Sequence, residues 1–137
     1  MVGTTVIEVL VSLLVLGIGT LGVAALQATA LRNSRSALER SQAVIAGYAI
    51  IDAMRANRSV ARAGGYDIDR TCVPPAPGDL VANDHRAWLQ GMQASLGDGA
   101  CGTIACAATQ CTVTVTWGAV SEPSGSPVRT VITQTRL

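Results

Sequence analysis

Residues 3–31 run GTTVIEVLVSLLVLGIGTLGVAALQATAL, and a compact water-soluble domain has no evident use for them. From Val9 to Leu31 there are 23 residues without Asp, Glu, Lys or Arg, and about 20 apolar residues suffice to cross a bilayer as a helix. The expectation is a single membrane-spanning helix over residues 4–31. Glu8 interrupts the apolar character at its very edge. An ionised carboxylate there costs on the order of 2 to 4 kcal/mol unless something pairs with it. Glu8 therefore asks for a counter-ion, and the plain alternative is an interfacial residue at the headgroup level. Within the run, Gly17-Ile-Gly19-Thr-Leu-Gly22 spells the G-x-G-x-x-G of a dinucleotide-binding turn. That turn needs a strand before it and βαβ alternation after it, and the chain supplies neither. Gly17, Gly19 and Gly22 are better read as sites of close helix packing or local unwinding.

The helical pattern continues past Leu31. Leu38, Val44, Ile45, Tyr48, Ile51 and Met54 recur at helical spacing among polar residues, and Arg35 and Glu39 stand at i, i+4. One helix over residues 4 to about 62 is expected, some 90 Å long at 1.5 Å per residue. Its apolar half occupies 4–31 and its amphipathic half 32–63. Gly64-Gly65 should end it. Residues 66–81, with Pro74, Pro75, Pro77 and Gly78, read as irregular. A second helix is expected over Asp84–Leu96, capped by Asn83 or Asp84, closed by Gly97 and carrying a Trp88, Met92, Leu96 stripe. Cys111–Trp117 alternates as a half-buried strand. Val128–Thr135 is its expected partner across the Gly118–Pro127 loop, with a short third strand at Thr103–Ala105. The fold class is α+β: a small antiparallel sheet and a short helix, residues 64–137, laid on the long helix.

The 137-residue chain has no Phe, two Trp and two Tyr, so the core of the head is thin and needs outside support. Its four cysteines suit disulfides in an oxidising compartment. Three pairings are open. Spacing favours Cys106–Cys111 across a four-residue turn, which leaves Cys72–Cys101 to tie the Pro-rich segment to the end of the second helix. No metal site is expected, since no C-x-x-C occurs and His85 is the only histidine; a lone His near a helix start is expected at the surface. Net charge is +1 from ten Arg and nine acids, which gives no basic stripe for nucleic acid. Trp88 and Trp117 read as core. No nucleophile–base set, carboxylate pair or phosphate loop is present, so the chain reads as non-catalytic, with no cofactor and no small-molecule substrate.

Gly3 followed by Glu8 and a long apolar helix resembles the processing site of type IV pilins and pseudopilins. Val6-Ile-Glu-Val-Leu-Val11, Leu26-Gln-Ala-Thr-Ala-Leu-Arg-Asn33 and Met54-Arg-Ala-Asn-Arg58 are together similar to the PilV-type minor pilins, a likeness that extends more thinly through the Trp88 helix and the Cys111–Trp117 strand. The first segment is common to the pilin-like superfamily; the second and third point to PilV. The resemblance implies a type IV pilin-like fold and a minor pilin that helps prime pilus assembly and supports twitching motility and adhesion. It implies cleavage after Gly3 by prepilin peptidase, leaving residues 1–3 as a leader remnant, and a new, N-methylated amine at Thr4. It also implies that Glu8 pairs with the amine of a neighbouring subunit, and that the helix around its three glycines melts locally in the filament. Partners would be other minor pilins and the major pilin. The location would be the inner membrane with the head in the periplasm, then the extracellular fibre.

Two departures stand out. Thr4 replaces the usual Phe or Met at the first mature position, and Met1-Val2-Gly3 lacks the basic residues of a pilin leader. With Arg32, Arg35 and Arg40 beyond the span, that leader runs against the positive-inside rule, so the expectation is either a true start upstream or a trimmed leader. The alternatives are a minor pseudopilin of a type II secretion system and a signal-anchored periplasmic domain with no filament role.

Overall fold

The computed structural model describes residues 5–107, 109–118 and 128–137. Gly3, Thr4 and most of the expected 118–127 loop lie outside them. The chain divides into two compact units, Met1–Ala37 and Leu38–Leu137. Helix α1, Val6–Ala56, begins in the first and ends in the second.

In the first unit every described residue is exposed, apolar side chains included, and the helix carries one stretch long and apolar enough to cross a membrane. The three hydroxyls of residues 9–31 are already served. Ser12 donates to the Glu8 carbonyl at 2.7 Å, Thr20 to that of Gly17 at 3.0 Å, and Thr29 to that of Ala25 at 3.0 Å. A hydrocarbon surrounding demands this internal satisfaction, because it offers no water to do it.

In the second unit α1 stops at Ala56. Asn57, at φ −119° and ψ 49°, breaks the helix, which resumes as α2 over Arg58–Arg62. The expected continuous run to residue 62 is thus divided. Asparagine competes for local hydrogen bonds, and the Asn57 amide donates to the Tyr66 hydroxyl at 3.4 Å. The double glycine then stops the helix as expected, Gly64 taking φ +79°, a conformation a side chain disfavours.

The buried face of α1 differs from the one its large residues suggested. Ala43, Gly47, Ile50, Ile51 and Met54 face the core, while Leu38, Ile45 and Tyr48 are 60%, 56% and 52% exposed. Small residues win here because the sheet comes close: a Cβ on Gly47 would sit 3.2 Å from Thr133 Oγ1. Ile51 and Met54 belong to both patterns.

The sheet has four antiparallel strands in the order β1–β2–β3–β4. They are β1 Ile68–Thr71, β2 Cys101–Ala107, β3 Gln110–Trp117 and β4 Arg129–Arg136. On β3, Cys111, Val113, Val115 and Trp117 are buried and the threonines between them face away, the alternation a half-covered sheet requires. Strand β1 lies inside the segment expected to be irregular, and β2 is longer than the expected 103–105 because it pairs with β3 along its whole length. Helix α3, Leu80–Leu96, starts earlier than Asp84: Asp79 Oδ1 accepts from the Ala82 amide at 2.8 Å and is the N-cap. Asn83 instead clasps the Gly78 backbone, donating to its carbonyl at 2.9 Å. Gly97 closes α3, its amide donating to the Gln93 carbonyl at 2.9 Å.

Candidate functional site

Glu8 sits in the first turn of α1, where its amide donates to the Thr5 carbonyl at 3.0 Å. The helix macrodipole favours an anion at this end. Its side chain is exposed, and no ion pair among the described residues involves it. The chain therefore places a carboxylate at the mouth of an apolar helix and supplies no counter-ion of its own among those residues.

Gly17, Gly19 and Gly22 follow on the same helix. An added Cβ at any of them would meet nothing within 4 Å. Each glycine in a helix interior costs roughly 1 kcal/mol relative to alanine, and nothing in the packing of the described residues calls for that cost. The segment is continuously helical, so it has no strand-to-helix turn in which a pyrophosphate could sit.

Of the three pairings open to four cysteines, the structure contains Cys72–Cys101 and Cys106–Cys111. The second joins residues directly opposite each other in the β2–β3 register. The first fastens the residue after β1 to the first residue of β2.

His85 corrects an expectation: it is buried, 6% exposed. Because α3 begins at Leu80, His85 lies well inside the helix, in phase with Trp88, Leu89 and Met92. Its Nε2 lies 3.1 Å from the Tyr66 carbonyl, and its ring meets that of Tyr66 edge-on at 5.5 Å. Tyr66 in turn donates its hydroxyl to Asp84 Oδ2 at 2.6 Å. Burial, reinforced by that carboxylate, pushes the Tyr66 phenol up. Burial pulls the His85 imidazole below its ordinary 6.5, against the opposing pull of the Tyr66 carbonyl.

Stability should follow. Above pH 6.5 the imidazole is neutral folded or unfolded, so its contribution is complete. As pH falls through 6.5 the unfolded chain takes up its proton first and the head loses stability, until the folded imidazole is protonated too. Urea midpoints between about pH 7.5 and 5 should fall in the parent and fall less in His85→Gln; parallel curves would refute this.

A second cluster carried no local signal. Glu39 on α1 accepts from Trp117 Nε1 at 3.2 Å and pairs with Arg129. It thereby ties the helix to the end of β3 and the start of β4, across separations of 78 and 90 residues. Among the described residues no group of three or more His, Cys, Asp or Glu is placed to hold a metal ion.

No family model matches the chain, and no curated protein or solved structure matches it either. Its architecture, a long apolar N-terminal helix with a small antiparallel sheet and disulfides, is compatible with a pilin-like fold.

Proposed function

We propose that the chain is a minor pilin of the PilV type, a non-catalytic structural subunit that helps prime a type IV pilus and supports twitching motility and adhesion. The observation that carries this reading is Glu8: a carboxylate without an ion pair in its own described chain, heading a charge-free span. In a filament or a bilayer the missing charge would come from the amine at Thr4 of a neighbouring subunit, freed by cleavage after Gly3. Low dielectric makes a matched pair strong and an unmatched member costly, so pairing would select correctly docked subunits. Glycines that serve no packing within the chain suit a helix that packs against others, or unwinds among them. Disulfides suit a head in an oxidising compartment such as the periplasm.

The test is Glu8→Val and Glu8→Gln in a piliated host lacking its own copy. Both variants should insert in the membrane, yet the subunit recovered in sheared fibres should drop about tenfold or more, with twitching reduced. Unchanged incorporation and motility would leave a plain signal anchor. Lost protein secretion with intact pili would instead assign the chain to a type II secretion system. Sequencing the mature N-terminus should find Thr4 first, with a methylated amine.

A further inference from the structure

Beside the core, α1 and α3 leave an open seam in the second unit. Two adjoining cavities of about 230 Å³ each lie along it, sharing Ala49, Ala87 and Trp88. The walls include small residues at helical intervals, Ala46, Ala49 and Ala53 on α1 and Ala87 and Gly91 on α3, together with larger apolar ones such as Ile45 and Met92. The Trp88 ring is the floor. Its only donor is engaged, Nε1 giving its hydrogen to the Ala46 carbonyl at 2.9 Å, so the floor offers an apolar face. Leu38 and Ile45, more than half exposed, lie on the same side of α1 as Ala49 by their spacing. Charge is absent from both cavities except at one end, where Asp84 lines the second; it is bonded to the Tyr66 hydroxyl and retains a lone-pair side.

We propose that this seam is a docking groove for an amphipathic α-helix of another protein, one carrying large aliphatic side chains at i and i+4 and a cationic residue about one turn further, beside Asp84. Three observations choose that occupant. Small residues recurring every three or four positions along both helices leave a groove that matches the side-chain rows of a third helix, as in ridges-into-grooves packing. Two adjoining cavities offset along the helices, one reaching Gln42 and Ser95 and the other Ala53 and Asp84, suit two knobs about one helical turn apart. The single acidic end complements one basic residue and orients the helix. The proposal concerns the head alone and stands whether or not the chain assembles into a filament.

The probe is a hydrocarbon-stapled, fluorescent helix of about 15 residues, with Leu at i and i+4 and Arg at i+7 on an Ala/Gln background, titrated onto the full chain in nanodiscs. Saturable binding should appear in anisotropy and perturb tryptophan emission. Gly91→Leu should weaken it about tenfold; Gly91 lines the seam and a Cβ there meets nothing within 4 Å, so the new side chain starts in open space, and an unchanged urea midpoint is the check that the core is intact. Replacing the probe's Arg by Glu should weaken binding about threefold or more. The proposal fails if the helix does not bind, if Gly91→Leu binds it equally, or if Arg and Glu probes are equivalent. It also fails if a Gly91→Leu-sensitive self-association makes a second copy the occupant, or if a fluorescent fatty acid saturates the seam and displaces the helix.

Discussion

Gly102→Val is expected to destabilise the head by about 3 kcal/mol, a large share of the 5–15 kcal/mol typical of a folded domain. The Trp88 ring lies directly on the β2 backbone at this position. A Cβ built on Gly102 would come within 2.4 Å of Trp88 Cη2, 2.6 Å of Cζ3 and 3.1 Å of Met92 Cε. The methionine can bend away, whereas the indole is rigid and can retreat only toward the α1–α3 seam, at the expense of its own hydrogen bond. It lies between β2 and α1, and its Nε1 hydrogen bond to the Ala46 carbonyl is among the contacts that tie α3 to α1. Overpacking a full core costs roughly 1–3 kcal/mol, and a displaced indole that loses its acceptor adds roughly 1 kcal/mol. Trp88 reports its own displacement, so urea denaturation followed by tryptophan fluorescence is the measurement. Gly91→Ala, on the open side of α3, is the control and should be neutral or slightly stabilising through helix propensity. A Gly102→Val midpoint matching that of the control would show that the ring can move aside freely.

The same contact explains which parts of the fold were legible. Strand β3 was plain because Cys111, Val113, Val115 and Trp117 alternate with threonine, a period that only a half-covered sheet rewards. Strand β2 showed less than its full length because Gly102, Ala105 and Ala107 are poor strand formers taken alone; the glycine is there for Trp88, a tertiary reason. Strand β1 was invisible, since Ile68-Asp-Arg-Thr71 has a charged pair in its middle and forms only against an existing edge. On α1 the size of Leu38, Ile45 and Tyr48 misled, because close approach of β4 favours the small face of Ala43 and Gly47. His85 reads as a surface residue if Asn83 or Asp84 caps the helix, because the imidazole then stands at a fraying end; with Asp79 as the cap it lies a full turn further in. Glu39 was out of reach, as its partners on β3 and β4 are distant in sequence. Glu8, by contrast, announces itself, because a charge in an apolar run needs no tertiary context to be anomalous.

Removing the Cys72–Cys101 bridge, by Cys72→Ala with Cys101→Ala, should cost about 3 to 4 kcal/mol, and removing Cys106–Cys111 only about 2 kcal/mol. The chain-entropy estimate sets that order, since the bonded cysteines are 29 and 5 residues apart and the stabilisation grows with the logarithm of the closed loop. Local structure widens the gap. Cys106 and Cys111 already face each other across a tight hairpin whose strands pair in full register, so the backbone keeps them close without the sulfurs. Cys72 has weaker support, from the single Thr71–Gly102 pairing beside it. It follows β1, a four-residue edge strand whose register to β2 shifts between Ile68 and Thr71, and its main other restraint is the Gln93 amide donating to its carbonyl at 2.6 Å. Cys101 is 2% exposed, so truncation there also leaves a cavity. With no Phe in the chain to enlarge the core, β1 and the segment leading to Asp79 should fray first. Limited proteolysis should then cut near residues 72–79 in the Cys72/Cys101 variant, while the Cys106/Cys111 variant stays intact at the same protease dose. Equal thermal midpoints for the two variants, or a larger loss from the hairpin bridge, would mean that the short hairpin, rather than the long loop, depends on its disulfide.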